Sequence, residues 1–547
     1  MADKTFDVVI VGGGNKGLVT AMYLAKYGGM EVGIFESHHE LGGGWSTVER
    51  AAPGFLGPPH SAVHAVFYHP TLSWDFPGFE EMATWIPDEI AYAAIFRDKD
   101  MACVCGYNFI DYDPEQTKTA ASIARYSQKD ADTWLYWWKI FKEKIWPAFL
   151  KVWNVPQTPW GVPNCLEQVL MDPAVGIPPW WGTYSPLRVA RDLFESEIIQ
   201  SWALRGPQAL SGLDLTCVGN GGMFFLALYA ALSYGYIKGG SHSMAHAAHR
   251  VIKDNGGKTF TKHKVAKILV ENGKAKGIKL VDGSEIGARK LIVTNVSPQQ
   301  LLAMVGEEYF DSRIVRQIKH LDNLQPVFAQ TVWALHALPH YIAAQTCSDI
   351  DHVAGFLSMV RSDPEAVVTE VARTKAGLPP DPEDLDFGTY CASMHDPTMA
   401  PKGKHTVHDQ ILTPLPADKL TEREWMVFKK QYAEDALRHW HKYAPNMTWD
   451  NVIGYATTTP YDVAALENYA PSGGLSVLSN IPDQLGRMRP IPEWCNHRIP
   501  GLKNLYATGS GWPAAGCASS TQGYVCYKII AEDLNLQKPW EVDGRPF

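Results

Sequence analysis

The 547-residue chain contains no C-x-x-C pair, and its nine cysteines (Cys103, Cys105, Cys165, Cys217, Cys347, Cys391, Cys495, Cys517 and Cys526) are odd in number and scattered. A reduced interior fits this better than a disulfide framework. Positive charge is not in excess. The 49 Lys and Arg against 58 Asp and Glu leave a formal charge of −9, so no nucleic-acid partner is expected. Low-complexity tracts are absent as well, which argues for a chain folded throughout. The opening segment has no basic n-region and no apolar h-region, so a cytoplasmic location is expected rather than export. No apolar run reaches the roughly 20 residues of a membrane helix. The longest, Met223 to Ile237, reads as a buried core helix. The length suits three to four domains' worth of chain.

What is present is concentrated at the N-terminus. Phe6 to Val11 is a β-branched apolar run. Gly12, Gly14 and Gly17 follow it, and Leu18 to Tyr27 reads as a helix rich in Ala, Leu and Met. In this G-x-G-x-x-G, Gly12 makes the tight turn and Gly14, with Asn15 beside it, lets backbone approach a pyrophosphate. Gly17 permits close packing of helix on strand. The helix N-terminus then holds the anion. A second strand, Glu31 to Phe35, ends in Glu36 and Ser37. The Glu36 carboxylate, nineteen residues past Gly17, suits ribose hydroxyls and would repel a 2′-phosphate. Leu41-Gly42-Gly43-Gly44-Trp45 comes next. Such a second glycine group runs the chain beneath the pyrophosphate toward a flavin ring, which favours FAD over NAD.

Between Ala51 and Asn220 the chain is rich in Trp, Tyr and Pro. The indoles suit the wall of a chamber for a hydrophobic molecule, and they equally suit an ordinary aromatic core. Trp134 to Val152 reads as one amphipathic helix. Its apolar side (Trp134, Trp138, Phe141, Ile145, Phe149), with Lys139, Lys142 and Lys144 nearby, leaves two readings open: peripheral membrane contact or packing on its own protein. Further on, Gly221-Gly222 opens an apolar helix and Gly239-Gly240 opens another, reaching Ile252. Short strands Lys264–Glu271, Lys276–Val281 and Lys290–Val293 follow, with turns at Asn272-Gly273 and Asp282-Gly283.

These segments, together with Asp396-Pro-Thr-Met-Ala-Pro401-x-Gly403, Asp483-Gln484-Leu485 with Arg489-Pro490, and the closing Gly501-Leu-Lys-Asn-Leu-Tyr506-Ala-Thr-Gly509-Ser-Gly511-Trp-Pro513, resemble the phytoene desaturase-like FAD-dependent oxidoreductases. That branch includes carotenoid isomerases, retinol saturases and pyridine nucleotide-disulfide oxidoreductase domain proteins. The resemblance implies an α/β fold: a Rossmann-like FAD-binding domain of the GR2 type built from discontinuous segments (1–75, 221–298 and 494–547), with an inserted mixed α+β substrate domain (76–220 and 299–493). It implies that backbone at Val265 meets the adenine. Leu502 to Thr508 would be the last parallel strand, Gly509 and Gly511 would admit phosphate or ribityl, and a helix from about Ser520 to Leu534 would aim its N-terminus at the flavin. Two departures fall near the expected ring. Gly44 and Trp45 stand where an arginine usually follows the glycine pair, and Pro513-Ala-Ala-Gly516-Cys517 replaces P-G-G-G-V.

Among the histidines, His242, His246 and His249 share a helix face at ligand spacing, but without an evident acidic or cysteine partner they are read as a polar stripe, and no metal is expected. His60 and His64 follow the glycine pair and are candidate acid/base groups beneath the flavin, with simple packing as the other reading. Tyr455 and Tyr461, flanking a Thr-Thr-Thr-Pro segment read as a turn, are candidates to approach the substrate. No second Rossmann unit is evident, so electrons are expected to leave to an external acceptor such as oxygen or a quinone. The expected activity is dehydrogenation or saturation of a C–C or C=C bond in an apolar, isoprenoid-like substrate. A redox-neutral isomerase or hydratase, an amine oxidase and a Rab-escort-like carrier without catalysis stand as alternatives.

Overall fold

The computed structural model describes residues 4–324, 328–378, 381–383, 385–412, 415–466 and 471–547. Its first element, β1 (Lys4–Val11), has Val8, Val9 and Ile10 fully buried, as a parallel strand covered on both faces requires. Helix α1 (Asn15–Lys26) turns back over it and buries Leu18, Val19, Ala21 and Met22. Strand β2 (Val32–Phe35) then pairs parallel with β1, Ile10 opposite Ile34. Lys258–Phe260 adds outside β2, and Glu285–Thr294 lies on the other side of β1, both parallel.

The strand Glu285–Thr294 serves two partners. Its first half pairs antiparallel with Lys274–Leu280, and through that with Val265–Glu271. The turn between those two strands places Asn272 and Gly273 at φ 51° and 68°, both left-handed, as a two-residue hairpin requires. Its second half, Ile292–Thr294, takes Leu505–Ala507 as a parallel partner. One seven-stranded sheet therefore gathers segments from both ends and the middle of the chain. The final helix, Thr521–Leu534, packs on α1.

A second sheet of seven strands runs in the order 452–458, 328–335, 405–412, 387–390, 356–359, 90–96 and 102–107. It is antiparallel except where Phe356–Met359 meets Ile90–Phe96. On one face lies the helix Glu422–His441, with Trp440 and Trp333 buried between. Helices from the 128–230 region cover the other face, where Trp134, Trp202, Phe224 and Tyr229 are fully buried. A small third sheet joins His64–Ala65, Tyr234–Ile237 and Trp85–Pro87.

Three sequence expectations change. The apolar run from Met223 is a helix only over Gly221–Ala230; Tyr234–Ile237 is a strand, because Gly235 passes so close to Ile86 that a Cβ would lie 2.2 Å from its carbonyl oxygen. The expected helix Trp134–Val152 is interrupted by a π-turn at Phe141–Ile145. Its apolar side is also buried inside the protein, with Trp134, Phe141 and Ile145 fully enclosed, so that face is core and not a membrane contact. The Thr457-Thr458 segment is strand, not turn. Among the described residues no helix is long and apolar enough to cross a membrane.

The ends of the chain are tied by side chains. Trp45 donates its indole N–H to the Ala518 carbonyl (2.7 Å), Asn15 donates to Ser519 (3.1 Å) and Thr20 donates to Gly523 (2.9 Å). Replacing Trp45 by Phe removes the first tie. It is expected to cost about 1–3 kcal/mol and to speed amide hydrogen exchange selectively over residues 515–521. Unchanged exchange there would show that the indole does not hold the loop.

Candidate active site

A groove of about 1220 Å³ opens at the carboxyl ends of β1 and β2 and reaches across to Gly509 and Ser510, the crevice where open α/β sheets bind ligands. Its floor is the turn at Gly12, whose φ of +92° and 2.8 Å approach of a Cβ to the Asn295 carbonyl admit only glycine. Helix α1 begins there at N-cap Gly14 without a side-chain cap and without an acid in its first turn. Its orphan N–H groups and dipole are thus left to an anion. Glu36 lies on the adjoining wall, accepting from Gly13 N–H (2.6 Å) and His38 N–H (2.7 Å).

Of the sequence candidates, Gly12, Gly14, Asn15, Glu36, Ser37, Gly43, Val265 and Gly509 all line this groove, as does His60. Gly44, Gly516 and Cys517 line the space beyond it. Gly17 and Gly511 do not line it. A Cβ on Gly17 would meet Gly12 O at 2.6 Å and one on Gly511 would meet the Pro298 ring at 2.8 Å, so both serve packing. Trp45 is fully buried and is a joint rather than a cofactor contact.

Beyond Gly44 and His60 the groove continues into a cavity of about 690 Å³, which shares Tyr68, Leu210, Tyr234, Gly516 and Cys517 with a second cavity of about 600 Å³. The second is walled by Phe67, Phe149, Trp153, Leu213 and Met223. Polar groups concentrate where the two meet. Tyr68 and Tyr234 share a hydroxyl–hydroxyl hydrogen bond of 2.9 Å, and Tyr234 donates to the Leu210 carbonyl (2.9 Å). Burial, followed by the neighbouring Tyr234, pushes the Tyr68 phenol well above its ordinary value, so it is a neutral hydroxyl.

Two catalytic candidates are corrected. His64 is fully buried behind the site, its ring nitrogens 3.0 Å from His69 Nε2 and 2.8 Å from Ser241 Oγ. Burial, and then the Lys16 ammonium, push its imidazole down to about 3, so it is the uncharged imidazole near neutral pH. Tyr455 is paired in register with Trp333 and stacks on it at 5.5 Å. Alternation along a strand sends Phe328 and Gln330 to the chamber and Trp333 with Tyr455 to the opposite face, under the helix Glu422–His441.

The structure adds residues that the sequence did not single out. Asn295 lies beneath the glycine turn; its one sequence signal was its place directly after the strand Ile292–Thr294. Lys16, in the variable part of the glycine motif, has 1% of its surface exposed and donates to Ser510 Oγ (2.9 Å) and to the Cys517 carbonyl. Arg489 is wholly buried and donates to the carbonyls of Ser510 (2.7 Å), Ser476 (2.8 Å) and Gln484 (2.9 Å). Asp396, in the turn noted from sequence, accepts from Gly239 N–H at 2.5 Å and joins that turn to the Gly239-Gly240 loop.

This sheet and groove are those of a Rossmann-type dinucleotide-binding protein, in an architecture shared with oxidoreductases. Residues 10–76 match the NAD(P)-binding Rossmann-like domain family. Over most or nearly all of its length the chain is similar to proteins of the group its motifs resemble. It is 24% identical to pyridine nucleotide-disulfide oxidoreductase domain-containing protein 2 of Mus musculus, covering 97% of this chain and 94% of that one. It is 22% identical to a component chain of the limonene dehydrogenase of Castellaniella defragrans (98% and 96%). It is 21% identical to a 4,4′-diapophytoene desaturase of a Methylomonas species (79% and 78%). Among solved structures, an oxidoreductase from Methanosarcina mazei superposes with a TM-score of 0.61 at 15% identity, covering 96% and 99% of the two chains.

Gly12→Ala is expected to lower retention of the bound dinucleotide roughly tenfold or more, because the turn must move; the cofactor released on denaturation measures it. His64→Asn is expected to leave the pH dependence of turnover between about pH 6 and 8 unchanged. A lost ionisation in that window would return His64 to the mechanism.

Proposed function

We propose that the protein is an FAD-dependent oxidoreductase acting on a CH–CH or C=C unit of a hydrophobic substrate, with an external electron acceptor. The observation that carries this reading is the sequence of adjoining spaces: the groove meets a second space at His60, and that space meets the aromatic-walled cavity at Gly516 and Cys517. Glu36 and Val265 would hold the adenosine end of a dinucleotide in the groove, and Gly44 and Cys517 would border its far end beside the apolar chamber. The relatives' names, limonene dehydrogenase and diapophytoene desaturase, denote enzymes of terpenoid compounds and support the same reading.

The residues fit the cofactor: a glycine turn that a Cβ would fill, an uncapped helix N-terminus, and a buried ammonium near both. Bound FAD supplies two-electron transfer at its ring. The chain's own contribution is placement and exclusion. Phe67, Phe149, Trp153, Leu213 and Met223 desolvate the substrate and keep water from the reacting carbon. The neutral Tyr68 and Tyr234 hydroxyls orient at the polar junction, and His60, on the wall of the groove and of the space next to it, takes or returns the second proton.

Purified protein is expected to be yellow, to release FAD on denaturation, and to bleach anaerobically with a terpenoid substrate. A colourless protein, or one that turns over anaerobically without acceptor or bleaching, rejects the reading. Ala227 faces the second cavity. Ala227→Trp fills part of it and is expected to raise KM about tenfold or more, an estimate from the loss of apolar contact, while flavin content stays unchanged. An unaltered KM would place the substrate elsewhere.

A further inference from the structure

Lys16 is in the first turn of α1, a position that ordinarily needs no charge, since the helix N-terminus already favours anions. Its side chain is 1% exposed and crosses the cleft to the C-terminal loop, where its ammonium donates to Ser510 Oγ at 2.9 Å and to the Cys517 carbonyl. Arg489 grips the same loop from beneath. A Cβ on Gly516 would lie 2.7 Å from its guanidinium, and its donors end on carbonyl oxygens. Among the described residues no carboxylate forms an ion pair with Lys16 or Arg489. The nearby imidazoles of His64 and His69 are held neutral by burial and by the positive charges around them. Of the acids lining the groove, Glu36 is engaged with Gly13 and His38 and Glu40 faces His242 at 4.0 Å.

Burying a cation without an anion is costly, and such a charge persists where a partner compensates it. Burial lowers the Lys16 ammonium only to about 8, so it stays largely protonated at neutral pH. Lys16 lines the groove together with Gly12 and Gly14, and its ammonium reaches the Cys517 carbonyl at the edge of the space beyond.

We propose that Lys16 is the counter-ion of the bound dinucleotide, its ammonium meeting an anionic oxygen supplied by the diphosphate or by the pyrimidine edge of the reduced flavin. The second source rests on the FAD reading above; the first holds for any dinucleotide diphosphate in this groove. The charge distinguishes this site from one that relies on backbone N–H groups alone. It makes Lys16 a cofactor-binding residue in a position of the glycine motif that is usually read as filler.

The test uses the full-length holoprotein with Lys16→Met and Lys16→Arg. Whether flavin is present is read first from the visible spectrum, so failure of the FAD reading is seen separately from failure of this one. Displacement of the cofactor is then measured with ADP and with adenosine, which lacks the diphosphate, and the flavin midpoint potential is measured in parallel. With the diphosphate as partner, Lys16→Met loses at least tenfold of the preference for ADP over adenosine. With the reduced ring as partner, that preference is kept and the potential falls by about 30 mV, a tenfold weaker hold on the reduced form in a two-electron couple. Lys16→Arg keeps both properties within about threefold of native, an expectation that follows from retained charge. If the protein carries no flavin, thermal stabilisation by ADP against adenosine reads the first arm. Native values of both preference and potential in Lys16→Met overturn the proposal, as does Lys16→Arg behaving like Lys16→Met. Failure of Lys16→Met to fold while Lys16→Arg folds assigns the ammonium to holding the loop and also overturns it.

Discussion

The structure depends on a closure between the two ends of the chain. Strand Leu505–Ala507 completes the sheet begun by β1, and Asn15, Trp45 and Thr20 bond Ser519, Ala518 and Gly523. The residues joined are some five hundred positions apart, so the entropy of closing so long a loop is met by a sheet edge and buried hydrogen bonds acting together. Without that closure the groove has one wall. Gly509 and Ser510 stand opposite the glycine turn across the groove, and Gly516 and Cys517 line the space beyond it together with Gly44.

The intervening chain builds the chamber. Its aromatic richness left two readings open, wall or core, and both hold for different residues. Trp134, Trp202 and Tyr229 pack among themselves as core, while Trp153, Phe67 and Phe149 form a T-shaped and tilted cluster that walls the apolar cavity. One sheet of the molecule therefore borders the groove, and the other borders the space beyond it through Phe328 and Gln330. The Tyr68–Tyr234 pair marks where the two regimes meet: the hydroxyls satisfy each other and a backbone carbonyl, so polar groups persist in an otherwise dry space without an unmet donor.

Much of the nucleotide half was legible. Gly12, Gly14 and Glu36 were placed on the groove because short-range rules govern them: a left-handed turn needs glycine, and a strand end presents its next side chain to the crevice; Val265 was reached only through the family resemblance. The catalytic candidates fared differently. His64 was singled out for its closeness in sequence to the glycine pair, yet the strand it begins turns the ring toward His69 and Ser241. Tyr455 was one residue of phase from the chamber, and alternation of a strand whose register was unknown sent it to the far face. Lys16 carried no visible signal, since a lysine early in a helix is ordinarily solvated.

The sequence by itself determined the local grammar of this protein: strand, glycine turn and helix at the start, the hairpin at Asn272-Gly273, the final strand and helix, and the acid at the end of β2. These follow from steric limits on φ and ψ and from periodicities of two and 3.6 residues, which act over a few positions. Only the tertiary structure decided which aromatic residues enclose a cavity, which face of the second sheet looks into it, and that a buried ammonium on α1 reaches the loop before the last helix. Those outcomes depend on register and on contacts between distant segments. Burial, which sets the charge and the partners of every polar group here, is a property of the packed chain and not of any stretch within it.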